Sequence, residues 1–112
     1  MIEAKVWGKV QRIISKEMFE VNRIEIVEGG YCSEHKHQYK YNGFYVESGE
    51  LKITTWDNDL VQNVMLFSGD YLQIEPNVSH KFNAVSNVVC YEIYWVQISE
   101  DDIQRVMKGG VK

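Results

Sequence analysis

Gly29-Gly30-Tyr31-Cys32-Ser33-Glu34-His35-Lys36-His37-Gln38-Tyr39-Lys40-Tyr41-Asn42-Gly43-Phe44-Tyr45-Val46-Glu47-Ser48-Gly49 is the stretch on which the reading of this chain turns. It carries two of the three histidines, at positions i and i+2. Side chains of an extended segment alternate between faces, so His35 and His37 share one face and Lys36 takes the other. Their Cβ atoms then lie about 6.6 Å apart, twice the rise per residue. Two rings leaning together from that separation can share one ion at about 2.1 Å from each nitrogen. The third ligand has to come from a neighbouring strand. The remaining histidine, His80, opens a strand directly after the turn Glu75-Pro76-Asn77-Val78-Ser79. An H-x-H pair alone also occurs as a polar surface pair, so the third histidine and its context decide the matter.

Outward from this stretch, short runs rich in β-branched and aromatic residues are separated by Gly, Asn and Asp, the pattern of an all-β meander or barrel. Val21 to Val27 ends at Gly29-Gly30, and Phe44 to Glu47 leads into a tight turn at Ser48-Gly49-Glu50. Leu51 to Trp56, Val61 to Phe67, Tyr71 to Ile74, His80 to Val85 and Val88 to Ile98 complete the set. Only the tail reads as helical. Ser99 to Asp102 resembles an N-cap followed by first-turn acids. Ile103, Val106 and Met107 share a face, and Gly109-Gly110 closes the segment.

A length of 112 residues fits one domain, 1–112, with no linker or low-complexity segment inside it. A formal charge of -4 without a Lys/Arg cluster argues against nucleic acid and anionic membrane as partners. No apolar run approaches the roughly 20 residues of a membrane span. The start Met1 to Trp7 lacks the apolar stretch of a secretory signal. Cys32 and Cys90 form no C-x-x-C motif and read as reduced thiols, so a cytoplasmic protein is expected. A domain this small also gains from a partner subunit, and a homodimer is expected.

Two spacings place these histidines in a known pattern, and the chain resembles the cupin superfamily. The first cupin motif, G-x5-H-x-H-x3,4-E-x6-G, is matched by Gly29, His35, His37, Asn42 and Gly49. The second, G-x5-P-x-G-x2-H-x3-N, is matched by Gly69, Glu75, Asn77, His80 and Ala84. The resemblance implies an RmlC-like double-stranded β-helix, a jelly-roll barrel, here with a short C-terminal helix. It also implies one divalent metal ion, Fe, Mn, Ni, Co or Zn, on His35, His37, His80 and the residue at position 42. Where the family carries a glutamate ligand this chain has Asn42, a neutral and weaker one. Pro is replaced by Glu75, and Gly by Asn77, the non-glycine residue that best accepts a left-handed turn. Val6-Trp7-Gly8, Phe19 to Ile24 and Val46 to Gly49 resemble the cupin domain of type II mannose-6-phosphate isomerases, which implies sugar phosphates as a substrate class.

A phosphorylated ligand calls for a cation in the pocket. Alternation turns Lys36 and Lys81 away from the ligand face, which leaves Lys40, in the loop between His37 and Asn42, as the candidate. The same alternation sends Phe44 and Val46 inward and puts Phe82 on the face of His80, an apolar wall beside the ion. Cys32 is a small buried residue or a thiol near the site. Glu75, Glu92 and Tyr94 are the candidate acid/base groups, each a type more often found in a structural role. A metal-dependent enzyme, isomerase-like or dioxygenase-like, acting on a small polar, sugar-like molecule is the first reading. The alternative is a metal-dependent carbohydrate-binding barrel without turnover, and a metal-free barrel ranks last because all three histidines keep their register.

Overall fold

The computed structural model describes residues 1–96, 104 and 106–112. Among these residues the chain forms nine strands and no helix. They are β1 (Ile2–Lys5), β2 (Gly8–Ser15), β3 (Phe19–Ile26), β4 (Tyr41–Ser48), β5 (Leu51–Asp57), β6 (Leu60–Leu66), β7 (Tyr71–Ile74), β8 (Ser79–Ala84) and β9 (Val88–Trp95). All pairings are antiparallel, in a six-stranded sheet ordered β1-β2-β3-β9-β4-β7 and a three-stranded sheet ordered β6-β5-β8. The expected jelly roll is therefore present. The expected C-terminal helix falls mostly on residues 97–103 and 105, which lie outside the described residues, and 106–112 carry no helix.

Inward alternation builds the core. Along β4, Asn42, Phe44 and Val46 are buried while Tyr45 and Glu47 face out, and along β8 His80, Phe82 and Ala84 are buried in the same way. Ile24 and Ile26 of β3, Leu51 and Ile53 of β5, and Val88 and Cys90 of β9 close the space between the sheets. Burying such side chains contributes about 1.5–3 kcal/mol each, the main term that holds two short-stranded sheets together.

Two turns set the register at the ends of this core. Gly49 has φ +90°, and a Cβ there would run into the Asn87 carbonyl oxygen. Asn77 has φ +67°, the left-handed conformation expected of it, and its N–H donates to the His37 carbonyl at 2.7 Å. The turn that delivers His80 thus also ties down the segment that carries His37. No helix among the described residues is long and apolar enough to cross a membrane.

Candidate metal centre

The H-x-H segment is not a strand of its own. Between β3 and β4 it pairs only as isolated bridges, Tyr31 with Asn83 and His35 with His80. The second bridge is doubly hydrogen-bonded: His35 N donates to His80 O at 3.0 Å and His80 N to His35 O at 2.8 Å. Residues opposed in this way project side chains from the same side of the ladder. The His35 and His80 rings accordingly lie with centroids 4.5 Å apart, and His37 completes the triangle at 5.2 Å and 5.6 Å. The ligand atoms of all three lie within 4.8 Å of one another, so His35, His37 and His80 form a group that could hold a metal ion.

The proton inventory of the rings fits that use. His35 Nδ1 lies 2.9 Å from Ser33 O and His80 Nδ1 lies 3.0 Å from Val78 O, so each carries its proton on Nδ1 and keeps a lone pair on Nε2. His37 Nε2 is buried without a partner. Burial holds His80 below the ordinary histidine range. Burial, with the Lys40 ammonium nearby, drives His37 down to about 4. Neutral imidazoles are the form that binds metal. On β4, Asn42 is fully buried, donates from Nδ2 to Gly43 O at 3.4 Å, and presents Oδ1 at 3.1 Å from His80 Nε2.

A cavity of about 340 Å³ opens beside His35, lined among others by Trp7, Cys32, Phe82, Asn22, Glu92 and Tyr94. Burial pushes the Glu92 carboxyl up to about 7, against the opposing pull of the Tyr94 hydroxyl and the Asn22 amide. Burial and the Glu92 charge raise the Tyr94 hydroxyl further, so it stays protonated and serves as a donor. A second hollow of about 420 Å³ borders His37 and shares Lys40, Glu20 and Tyr94 with the first. The Lys40 ammonium rests 4.3 Å from the Tyr94 ring centroid, and that ring packs 5.1 Å from His37.

Of the remaining candidates, Phe44 is buried with its ring 6.3 Å from His80, and Phe82 stacks edge-on against Trp7 at 5.1 Å. Val46 is fully buried in the core, opposite Cys90. Glu75 is exposed at its turn. Lys81 points outward over Tyr31, whereas Lys36 borders the hollow beside His37. Cys32 is a buried thiol whose sulfur accepts from Phe82 N at 3.3 Å, and burial raises its pKa. Sequence reasoning missed Asn22, a buried polar residue on the inward face of β3, ahead of apolar Ile24 and Ile26. That break in alternation was the available signal.

The Cupin_2 family model, described as Cupin domain, matches residues 22–96, which include all three histidines and Asn42. The chain belongs to the cupin family. No curated protein matches its sequence significantly. Among solved structures, KdgF from Halomonas sp. is similar at TM-score 0.74 and 11% identity, over 86% of each chain. An RmlC-like cupin from Shewanella frigidimarina is similar at TM-score 0.72 and 19% identity, over 91% of this cupin and 86% of that chain. Bacillus subtilis oxalate decarboxylase, studied for its Mn(II) centres, gives TM-score 0.78 and 14% identity, over 91% of this cupin but 29% of its own length. At these identities the likeness establishes the fold alone.

Proposed function

We propose that this cupin binds one divalent metal ion through His35, His37 and His80, with Asn42 as a fourth ligand, and acts as an enzyme on a small polar, sugar-like molecule in the adjoining cavity. The observation that carries the reading is the contact between His80 Nε2 and Asn42 Oδ1 at 3.1 Å. With the His80 proton on Nδ1 and Asn42 Nδ2 turned to Gly43, both facing atoms are acceptors. Two acceptors so placed can share a cation. Ligands about 2.1 Å from one ion and at right angles to each other are about 3.0 Å apart, which matches. Bound there, the ion would supply a Lewis acid for a carbonyl or hydroxyl, or a redox centre if it is iron.

The protein's own groups do the rest. Phe44, Phe82 and Trp7 keep water from the histidine side. Glu92, titrating near neutrality, exchanges a proton with the bound molecule, and the Tyr94 hydroxyl and Asn22 amide hold its carboxyl in place. Plasma mass spectrometry on protein reconstituted with Fe(II), Mn(II), Ni(II), Co(II) or Zn(II) tests the reading. The Mn(II) centres of the similar oxalate decarboxylase argue for including manganese first. About one ion per wild-type chain, lost in His37→Ala, is the expected result, and a wild type that takes up no ion ends it.

A second reading, ligand binding without turnover, is favoured by the neutral Asn42 in place of a carboxylate. Asn42→Glu separates the two: a gain in turnover supports the enzyme, and a change in ligand binding alone supports the barrel. We also propose a cytoplasmic homodimer. β1 lies at an edge of the larger sheet and is exposed along its whole length, an unpaired ladder open to a second copy. A monomeric mass by light scattering would exclude the dimer.

A further inference from the structure

The cations that border the two hollows fall into two groups. Arg12 lies 3.6 Å from Glu20 and Lys5 lies 2.9 Å from Glu3, so both are neutralised. Lys16, Lys36 and Lys40 form no ion pair among the described residues, and all three border the hollow beside His37. In a chain of net charge -4, these three cations meet at the mouth nearest the histidines, whereas Lys52, Lys81, Lys108 and Lys112, also without an ion pair among the described residues, lie away from it. Glu20 borders both hollows but is already engaged, accepting from Asn22 Nδ2 at 2.8 Å and Ser15 Oγ at 3.1 Å.

Lys40 is the one of the three that stands where the two hollows meet. It borders both cavities, and its ammonium lies over the Tyr94 ring, 4.3 Å from the centroid. Its field is felt at His37, Glu20 and Glu92. A cation on an aromatic face keeps donors free for another partner. The cavity it borders also carries the Glu92 carboxyl and Asn22, whose Oδ1 is buried without a partner. The Asn22 amide is kept from turning to relieve this by its Nδ2, which donates to Glu20 at 2.8 Å.

We propose that Lys40 anchors the anionic end of the ligand, so that the molecule this cavity takes is a small hydroxylated anion, with a carboxylate or phosphate on Lys40 and hydroxyls directed to the Glu92 and Asn22 wall. This rests on the reading of the cavity as a small-molecule site. It does not rest on the metal. Lys16 and Lys36 add a positive potential that draws such an anion to the mouth, and this contribution is screened by salt.

The test compares two six-carbon probes that differ in charge, D-gluconate and D-sorbitol, by calorimetric titration of metal-loaded and chelator-treated protein. Wild type is expected to bind gluconate at least about tenfold more tightly than sorbitol in both states. Lys40→Met is expected to remove that preference without changing sorbitol binding or the melting temperature, since Lys40 is exposed. Lys40→Arg retains it. Inorganic phosphate, titrated separately, distinguishes a phosphate-ended from a carboxylate-ended ligand, and Lys40-dependent binding of either anion supports the proposal. Equal binding of gluconate and sorbitol, binding of neither anion, or a preference that survives Lys40→Met overturns it. A preference abolished by His37→Ala and untouched by Lys40→Met places the anion on the histidine centre and also overturns it, while leaving the metal reading intact. Lys40-dependent selection in a protein that takes up no metal does the reverse.

Discussion

Half of the candidate metal centre stands on sheet and half on a loop. His80 and Asn42 sit on β8 and β4, fully buried, inside ladders that run the length of each strand. His35 and His37 sit on the segment between β3 and β4, held by one bridge to His80 and by the Asn77 hydrogen bond to His37 O. The two halves therefore have different sources of order. On the strands, position follows from core packing; on the loop, it follows from a few backbone hydrogen bonds worth about 1 kcal/mol each. A site built this way keeps two ligands fixed and leaves two adjustable, which suits a centre that must admit a ligand beside the ion.

The sharpest way to break the comparison is to damage the strand half. Phe44 is buried between His80 and Phe82, with both rings 6.3 Å away. Phe44→Ala is expected to cost about 3–5 kcal/mol of stability, by transfer and cavity terms together. On the loop, Tyr39 is exposed, and Tyr39→Ala is expected to change stability by less than about 0.5 kcal/mol. Urea unfolding measures both, and comparable losses at the two positions would mean that the loop is packed as tightly as the sheet.

Next in size is the effect on metal rather than on stability. Asn42→Asp adds a negative charge to the strand half without changing its shape, and is expected to raise metal affinity about tenfold. Asn42→Ala is expected to lower it by a similar factor. Competition with a chromogenic chelator reads both, and an unchanged affinity in each variant would remove Asn42 from the ligand set.

The same division marks what was legible beforehand. The strands, the inward course of Asn42, Phe44 and Phe82, and the left-handed Asn77 followed from alternation and turn chemistry, which are local. The grouping of the histidines followed from motif spacing. The mechanism assumed for His35 and His37, a shared strand face, was incomplete: what sets them is the cross-bridge of His35 to His80, a contact between residues far apart in sequence. Glu92 and Tyr94 could be named as acid/base candidates, but their common cavity with Asn22 depends on how β3 and β9 pair, and no local pattern encodes that. Lys36 faces the hollow beside His37 because the segment is irregular and period-two alternation does not hold across it.

A smaller effect separates the two halves by pH in metal-free protein. Burial raises Glu92 to about 7 from the ordinary carboxylate range, so the folded state binds more protons than the unfolded state between about 4.5 and 7. Its contribution is present at low pH and is lost as pH rises through that window. His37, lowered to about 4, has the opposite sign: its contribution is present above the ordinary histidine range and is lost as pH falls toward 4. The wild-type melting temperature is thus a difference of two slopes. Glu92→Gln is expected to remove the falling one, leaving stability that rises from pH 4 to 6.5, and melting curves that keep the same shape in wild type and variant would show that Glu92 is not desolvated.

The smallest expected effect tests the link between the halves. Asn77, at φ +67°, both delivers His80 and donates to His37 O. Asn77→Gly keeps the donor N–H and removes any steric cost of the left-handed conformation, so stability is expected to stay within about 0.5 kcal/mol of wild type. Asn77→Ala keeps the same N–H and Cβ but loses the short polar side chain that eases the left-handed conformation, at about 1 kcal/mol. Since the hydrogen bond survives in both, metal affinity should follow stability only if the turn, rather than the bond itself, positions His37. An Asn77→Ala protein that loses stability but holds metal as tightly as wild type would show that the loop half adjusts to the ion independently of the turn beneath it.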